Sequence, residues 1–312
     1  MTRIASIDIG TNTVRLLILE TEPGESLREI GQERAITRLG EGMDTEKRLL
    51  DHRMDNTISV LAGFRSKCKE FEPVTIRAVA TSAVREASNR EEFVRRAKEG
   101  AGIEIEVIPW EQEAGLMIEG VLWKLPGAEK QVLAFDIGGG STEFILARDR
   151  GIVSSAGTLL GTVRLTEKFI SLHPIEENES RALTAHLRSE LKKVKEKLAD
   201  FLPEMLVGTA GTVTTLAAID GDVYPYDPEK IHGTTLSRSR VEEILEDLKG
   251  KSLDERVAMR TMEKGREDLI IVGGVLTLET MRAFDCDLLT ISEYGLREGI
   301  VLDTVNRMRL GK

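Results

Sequence analysis

The sequence predicts an α/β fold made of two similar halves, and three observations predict it. Strand-like and helix-like periodicities alternate along the chain instead of separating into blocks. A length of 312 residues, 41% hydrophobic and 31% charged, suits a soluble chain of about two domains. The third observation is an internal repeat. SIDIGTNTVRLLIL superimposes on AFDIGGGSTEFILA at an offset of 128 residues, pairing Asp8 with Asp136 and Gly10 with Gly138. Thr13 then falls on Ser141 and Arg15 on Glu143. Each copy reads as strand, aspartate, hydroxyl-bearing glycine turn, strand.

The elements follow in order. RIASIDIG and VRLLILET read as strands joined by the turn TNT, and RMDNTISVLAGFRSKCKEF has helical spacing. The strand TIRAVAT, a helix around REEFVRRAKEG, the alternating strand IEIEVI and a helix from Pro109 through EQEAGLMIEGVLW complete the first half. KLPGAEK (residues 124–130), with proline, glycine and charges between two periodic segments, reads as a linker. The second half opens with QVLAFDIGGGSTEFILA. Leu183, Leu187, Leu191, Val194 and Leu198 mark an amphipathic helix whose Lys/Glu face is solvated. The strand MLVG, the loop TAGT and the helix VTTLAAID come next; DLIIVGG and LLTISEYG read as strands, and LREGIVLDTVNRMR as a closing helix. The expected domains are residues 1–124 and 125–295, with 296–312 folding back on the first.

Composition excludes some functions. A net charge of −10 lacks the basic footprint of a duplex nucleic-acid binder, although glycine-loop amides, a few arginines and a divalent cation can still hold an anionic substrate. No apolar run is long enough to span a bilayer, and MTRIASIDIG enters a strand pattern at once, so no signal peptide is expected. Cys68 and Cys286 are isolated, which suits a reducing, cytoplasmic setting. None of His52, His173, His186 and His232 forms a metal pair.

The turns carry the chemistry. Glycines let backbone amides approach a phosphate, and Thr11, Thr13, Ser141 and Thr142 add hydroxyl donors. One such turn is compatible with an ordinary hairpin; two, each following an aspartate, point to phosphate binding. Asp8 and Asp136, at strand ends beside these loops, are natural Mg²⁺ ligands, or else turn caps. GTAGTVTTLAA (Gly208–Ala218) is a third glycine junction, before a helix N-terminus that favours anions, and IIVGGVLTLE a weaker fourth. Glu111, Glu113 and Glu143 are candidates to activate water, and the residues alone do not rank them. Arg15, Arg38, Arg85, Arg164 and Arg266 each lie near a glycine- or hydroxyl-rich turn, Arg85 being the strongest because ATSAVR ends a strand where a helix begins.

Paired DIG hairpins with a later Gly-Thr loop resemble the superfamily of sugar kinases, heat-shock ATPases and actin, which has two ribonuclease-H-like domains with a cleft between them. More specific words are SIDIGTNTVRLLI, RLGEGM, AVATSAVREA, EQEA, FDIGGGSTEF, GTVRLTE, GTAGTVTTLAA, VYPYDPEKIHG and SEYGLREG, in order from residue 4 to about 303. By these the chain resembles the exopolyphosphatase/guanosine pentaphosphate phosphohydrolase (Ppx/GppA phosphatase) family. The resemblance implies a Mg²⁺-dependent phosphohydrolase that removes the terminal phosphate from inorganic polyphosphate or pppGpp. It implies Glu113 as base, Glu143 as the second essential carboxylate and metal ligand, and Asp8 and Asp136 on the metal side. Thr11, Asn12, Thr13, Gly138, Gly139, Gly140, Ser141, Gly208, Gly211 and Thr212 would hold phosphates, with Arg85, Arg15 and Arg266 meeting substrate. A homodimer is in keeping with it; nucleic-acid and membrane partners are not expected. Many longer members carry a C-terminal HD-type helical domain; the sequence stops at 312 without one, which weighs against processive digestion of long polymers. The other readings are an actin-like ATPase or sugar kinase, separated by phosphate transfer from ATP to a sugar, and a non-catalytic alarmone sensor.

Overall fold

The duplicated hairpins each start a sheet. β1 (Thr2–Ile9) and β2 (Thr13–Thr21) pair antiparallel, β3 (Arg28–Ile36) continues the meander, and β4 (Thr75–Ala80) and β5 (Ile105–Val107) add in parallel, giving the order β3-β2-β1-β4-β5. The second sheet repeats the scheme with β6 (Val132–Ile137), β7 (Thr142–Arg148), β8 (Gly151–Thr158), β9 (Met205–Thr209) and β11 (Leu288–Ile291), plus β10 (Thr235–Ser237) at the far edge. A three-stranded meander continued by parallel strands, in this order, is the ribonuclease-H-like arrangement, and both sheets have it. The structure is a computed structural model that describes residues 1–22, 27–43, 47–198 and 202–310. The end of the expected C-terminal segment, residues 311 and 312, lies outside the described residues.

The chain divides into two compact units, Met1–Gly120 with Leu296–Lys312, and Val121–Gly295. In the first, Ala5, Ile7 and Ile9 of β1 point into a core with Leu16, Ile18, Leu61, Phe64 and Phe93. The helices Asp51–Lys69 and Arg90–Ala101 supply the outer layer of that core. On the opposite face of β1 and β2 lies the closing helix Leu296–Arg309. Both faces are therefore covered, which is why β1 and β2 read as continuous apolar runs. Arg77 of β4 ties this helix to the sheet through Asp303 and Glu106.

In the second unit the helix Glu177–Leu198 buries Leu183, Leu187, Leu191, Val194 and Leu198 on one face. Each such burial contributes roughly 1.5–3 kcal/mol against an exposed reference. KLPGAEK is a hydrogen-bonded turn inside this unit, with Lys130 N–H donating to the Gly127 carbonyl (3.0 Å).

One expected strand is a helix, and two strands are ones the sequence does not announce. DLIIVGG is not a strand: Ile270–Ala283 is a helix. It is buried on nearly every side, so its β-branched run shows no helical periodicity to read. Its glycines serve packing between helices, since a Cβ at Gly273 would lie 2.4 Å from Thr212 Cγ2 and one at Gly274 3.0 Å from Leu245 Cδ1. The strands β3 and β8 carry no strand signal, because REIGQERAI and GIVSSAGT are largely polar and edge-exposed.

Candidate active site

The two turns are built alike. Gly10 N–H donates to the Thr13 carbonyl at 3.0 Å, and Gly138 N–H to the Ser141 carbonyl at 2.9 Å. A Cβ on either glycine would crowd that carbonyl, at 3.2 Å and 3.1 Å respectively. The registers match too, Asp8 opposite Arg15 and Asp136 opposite Glu143.

In the first unit, the carbonyls of the turn are tied to the RLGEG segment. Thr37 and Arg38 N–H both donate to the Asn12 carbonyl (3.0 Å) and Gly40 N–H to that of Thr11 (2.9 Å). Gly40 is required there, because a Cβ would sit 2.2 Å from Thr11 Cγ2. The second unit uses a helix instead. Thr162 N–H donates to the Gly138 carbonyl (3.0 Å) and Val163 N–H to that of Gly139 (2.8 Å), both from the first turn of the helix Thr162–Phe169. Arg164 Nε donates to the Gly140 carbonyl (3.2 Å). Gly161 lies flat on the loop; a Cβ there would fall 2.2 Å from the Gly140 carbonyl carbon. With their carbonyls held on one side, the turns have their N–H groups left for the other. Among the described residues, no backbone carbonyl takes the N–H groups of Thr11, Asn12, Gly139 or Gly140. The side-chain amide of Asn12 is buried, and neither Nδ2 nor Oδ1 has a hydrogen-bond partner. A ligand with both acceptor and donor atoms, or water, would satisfy it.

Asp8 is half-buried, and burial pushes its carboxyl up to about 6 against the pull of Arg15 and Arg297, with Glu298 adding to the rise. Asp136 is half-buried and Glu143 buried. Gly295 packs close to Thr209 beside Asp136: a Cβ there would lie 3.3 Å from Thr209 Oγ1 and 3.9 Å from Asp136 Oδ2.

Glu113 and Glu111 share the first turn of the helix Trp110–Val121 but not a fate: Glu111 is exposed, Glu113 buried. Arg85 Nη1 donates to Glu113 Oε2 (2.5 Å) and to the Ile108 carbonyl (3.0 Å). Arg85 Nε and Nη2 are buried and unbonded.

The third glycine loop divides its residues. Gly208 sits inside the ladder of β9 against Phe135 and Val213, where packing explains the glycine. Ala210 takes φ +68 at the start of the helix Ala210–Asp220, a left-handed conformation that costs of order 1–3 kcal/mol for a non-glycine residue. Gly211 carries the Arg266 guanidinium on its Cα: an added Cβ would lie 1.9 Å from Nη2. A buried cation thus rests on the loop, itself paired with Glu263. Sequence reasoning missed what holds it. Arg256, fully buried, donates from Nη1 to the Glu267 carbonyl (2.6 Å) and anchors the segment carrying Arg266. It missed Trp110 as well, over whose ring the Arg85 guanidinium lies at 3.9 Å. The spacing of Trp110 and Glu113 on one helix was the available signal.

Fold and geometry together define an α/β protein of two ribonuclease-H-like units, each presenting amides from a glycine turn beside acidic side chains. A family model described as the Ppx/GppA phosphatase family matches residues 17–308, and the chain belongs to that family. Exopolyphosphatase 2 of Mycobacterium tuberculosis is 32% identical over 97% of this chain and 98% of its own. A bifunctional 3-dehydroquinate synthase/phosphatase of Fusobacterium nucleatum is 33% identical over 96% of this chain and 46% of its own. Among solved structures, the Aquifex aeolicus Ppx/GppA family member superimposes with a TM-score of 0.84 at 36% identity, covering 98% of each chain. An exopolyphosphatase from Cytophaga hutchinsonii gives 0.91 at 29% identity, again over 98% of each.

Proposed function

We propose that this chain is a Mg²⁺-dependent exophosphatase that hydrolyses the terminal phosphoanhydride of inorganic polyphosphate, and of pppGpp to ppGpp. The observation that carries this reading is the pair of matched turns with carbonyls tied back and N–H groups left for an anion. The similarity to named exopolyphosphatases supports polyphosphate as the first substrate to test.

The amides of Thr11–Thr13, Gly138–Ser141 and Gly211–Thr212 would bind phosphate oxygens, with Arg85, Arg15 and Arg266 adding fixed positive charge. Glu113, held by Arg85, would take a proton from the attacking water as its oxygen bonds to the terminal phosphorus. The bridging P–O bond breaks, and the shortened chain leaves with that oxygen.

A divalent cation fits the donors present. In the second unit Asp136 and Glu143, opposite each other in the β6–β7 register, are hard oxygen ligands, and in the first unit Asp8 is another. Among the described residues no three His, Cys, Asp or Glu side chains converge as a closed metal cage. Mg²⁺ commonly binds through one or two carboxylates plus phosphates and waters, so no such cage is required. When bound it would neutralise charge on the phosphates.

Phosphate release should be measured from short polyphosphate, long polyphosphate, pppGpp and ATP, with Mg²⁺ and with EDTA. Release from polyphosphate or pppGpp that EDTA abolishes supports the proposal. ATP-dependent phosphorylation of a sugar, or tight pppGpp binding without release, would replace it.

A further inference from the structure

We propose that Trp110 is a positioning residue of the hydrolytic step, acting through Arg85 on Glu113; this rests on Glu113 being the base. Trp110 and Glu113 are three residues apart on the first turn of one helix, so their side chains share a face. Arg85 reaches them from the helix Ser82–Glu86. Its guanidinium lies 3.9 Å from the centre of the indole ring. In the guanidinium plane, Nη1 is shared between Glu113 Oε2 (2.5 Å) and the Ile108 carbonyl (3.0 Å). One flat face is thus closed by the ring and one edge fixed by acceptors, while Nε and Nη2 stay buried and unbonded.

An arginine side chain has many rotamers, and a single ion pair does not select one. Stacking on an indole does, through the ring quadrupole and by excluding water from the pair. Trp110 is half-buried, while the side chains of Arg85 and Glu113 are only 12% and 7% exposed. The ring is therefore the outer wall of a small ordered stack, and a smaller aliphatic side chain would let water in and the guanidinium swing. The carboxylate it holds would lose its alignment, while the positive charge that draws the anion would remain. Alignment of the base counts in the transition state and not in substrate binding. The effect belongs in kcat.

The test compares Trp110→Leu and Trp110→Phe with the wild type on short polyphosphate with Mg²⁺, each checked by thermal unfolding. Trp110→Leu should lower kcat about tenfold with KM changed less than about threefold, as expected for a displaced catalytic group. Trp110→Phe, which keeps an aromatic face, should recover at least about half of the wild-type kcat. A second readout needs no turnover. In a Trp123→Phe background Trp110 is the sole tryptophan, and Arg85→Met should change its emission. Wild-type kcat in Trp110→Leu, equal impairment of the Leu and Phe variants, or unchanged emission would each overturn the proposal. An inactive wild type would instead sink the functional reading, and this proposal with it.

Discussion

At the residue scale, buried polar groups mark where the protein gives up stability. Asn12 is buried with neither amide atom hydrogen-bonded, and an unmet buried group costs about 1–3 kcal/mol. Asn12→Val should therefore keep or raise the melting temperature while raising KM for polyphosphate; a fall in stability with unchanged KM would make Asn12 purely structural. Glu113→Gln keeps the shape and the Arg85 contact but removes the proton acceptor. It should lower kcat by about 10²–10⁴-fold in a folded protein, as loss of a general base does. Gly211→Ala tests the loop cation. Its Cβ cannot coexist with the Arg266 guanidinium, at 1.9–2.2 Å, so KM should rise and match that of Arg266→Ala. Of these residues, Glu113, Gly211, Arg266 and Asn12 could be picked from the sequence by motif. For Trp110 the spacing to Glu113 was a signal, but the contacts that give Trp110 and Arg256 their roles, with Arg85 and with the Glu267 carbonyl, appear only in the folded chain.

Elements are joined here by close backbone approach. Gly161 lies against Gly140, and Gly299 of the closing helix against the Leu116 carbonyl, where a Cβ would fall 1.7 Å from oxygen. Gly299→Ala should lower stability by at least about 1–3 kcal/mol, the usual scale for overpacking, measured by denaturant unfolding. A second element contact is electrostatic. Glu279 of the helix Ile270–Ala283 is buried and bonded to Arg188 Nε (2.7 Å) and Arg282 Nη1 (2.6 Å). Burial alone would raise its carboxyl, but the two arginines outweigh it and hold it below the ordinary 4.5. A depressed carboxylate stabilises above its unfolded pKa and loses that stability as pH falls through the folded one. Glu279→Gln should accordingly be less stable at pH 7, and the two proteins should converge as pH drops below about 4.5. Parallel melting curves across that range would show that the pair contributes nothing.

For the whole molecule, the functional reading predicts linkage. A ligand that binds only the folded state at about 100 times its Kd stabilises by about 2.7 kcal/mol, which for units of this size is about 5–10 °C. In Glu113→Gln, where turnover is blocked, tripolyphosphate with Mg²⁺ should raise the melting temperature by that order, and EDTA should remove most of the rise. The same rise with EDTA present would show anion binding that needs no metal.

Three glycines between two apolar runs, an aspartate before each turn and a repeat of the whole motif were legible because turn chemistry is local. Backbone conformation and amide spacing depend on a few adjacent residues. The α/β class and most strands were legible for the same reason, through periodicity. The helix Ile270–Ala283 and the edge strands β3 and β8 were not, since burial on nearly every side or exposure along an edge erases the pattern that periodicity needs. Tertiary structure decided what faces what. It set Glu143 opposite Asp136 where the first copy sets Arg15 opposite Asp8. It buried Glu113 and left Glu111 in solvent, and it laid Arg266 on Gly211. Contacts such as that of Arg266 with Gly211 and of Arg85 with Glu113 join residues tens of positions apart in the chain. Only packing fixes such contacts.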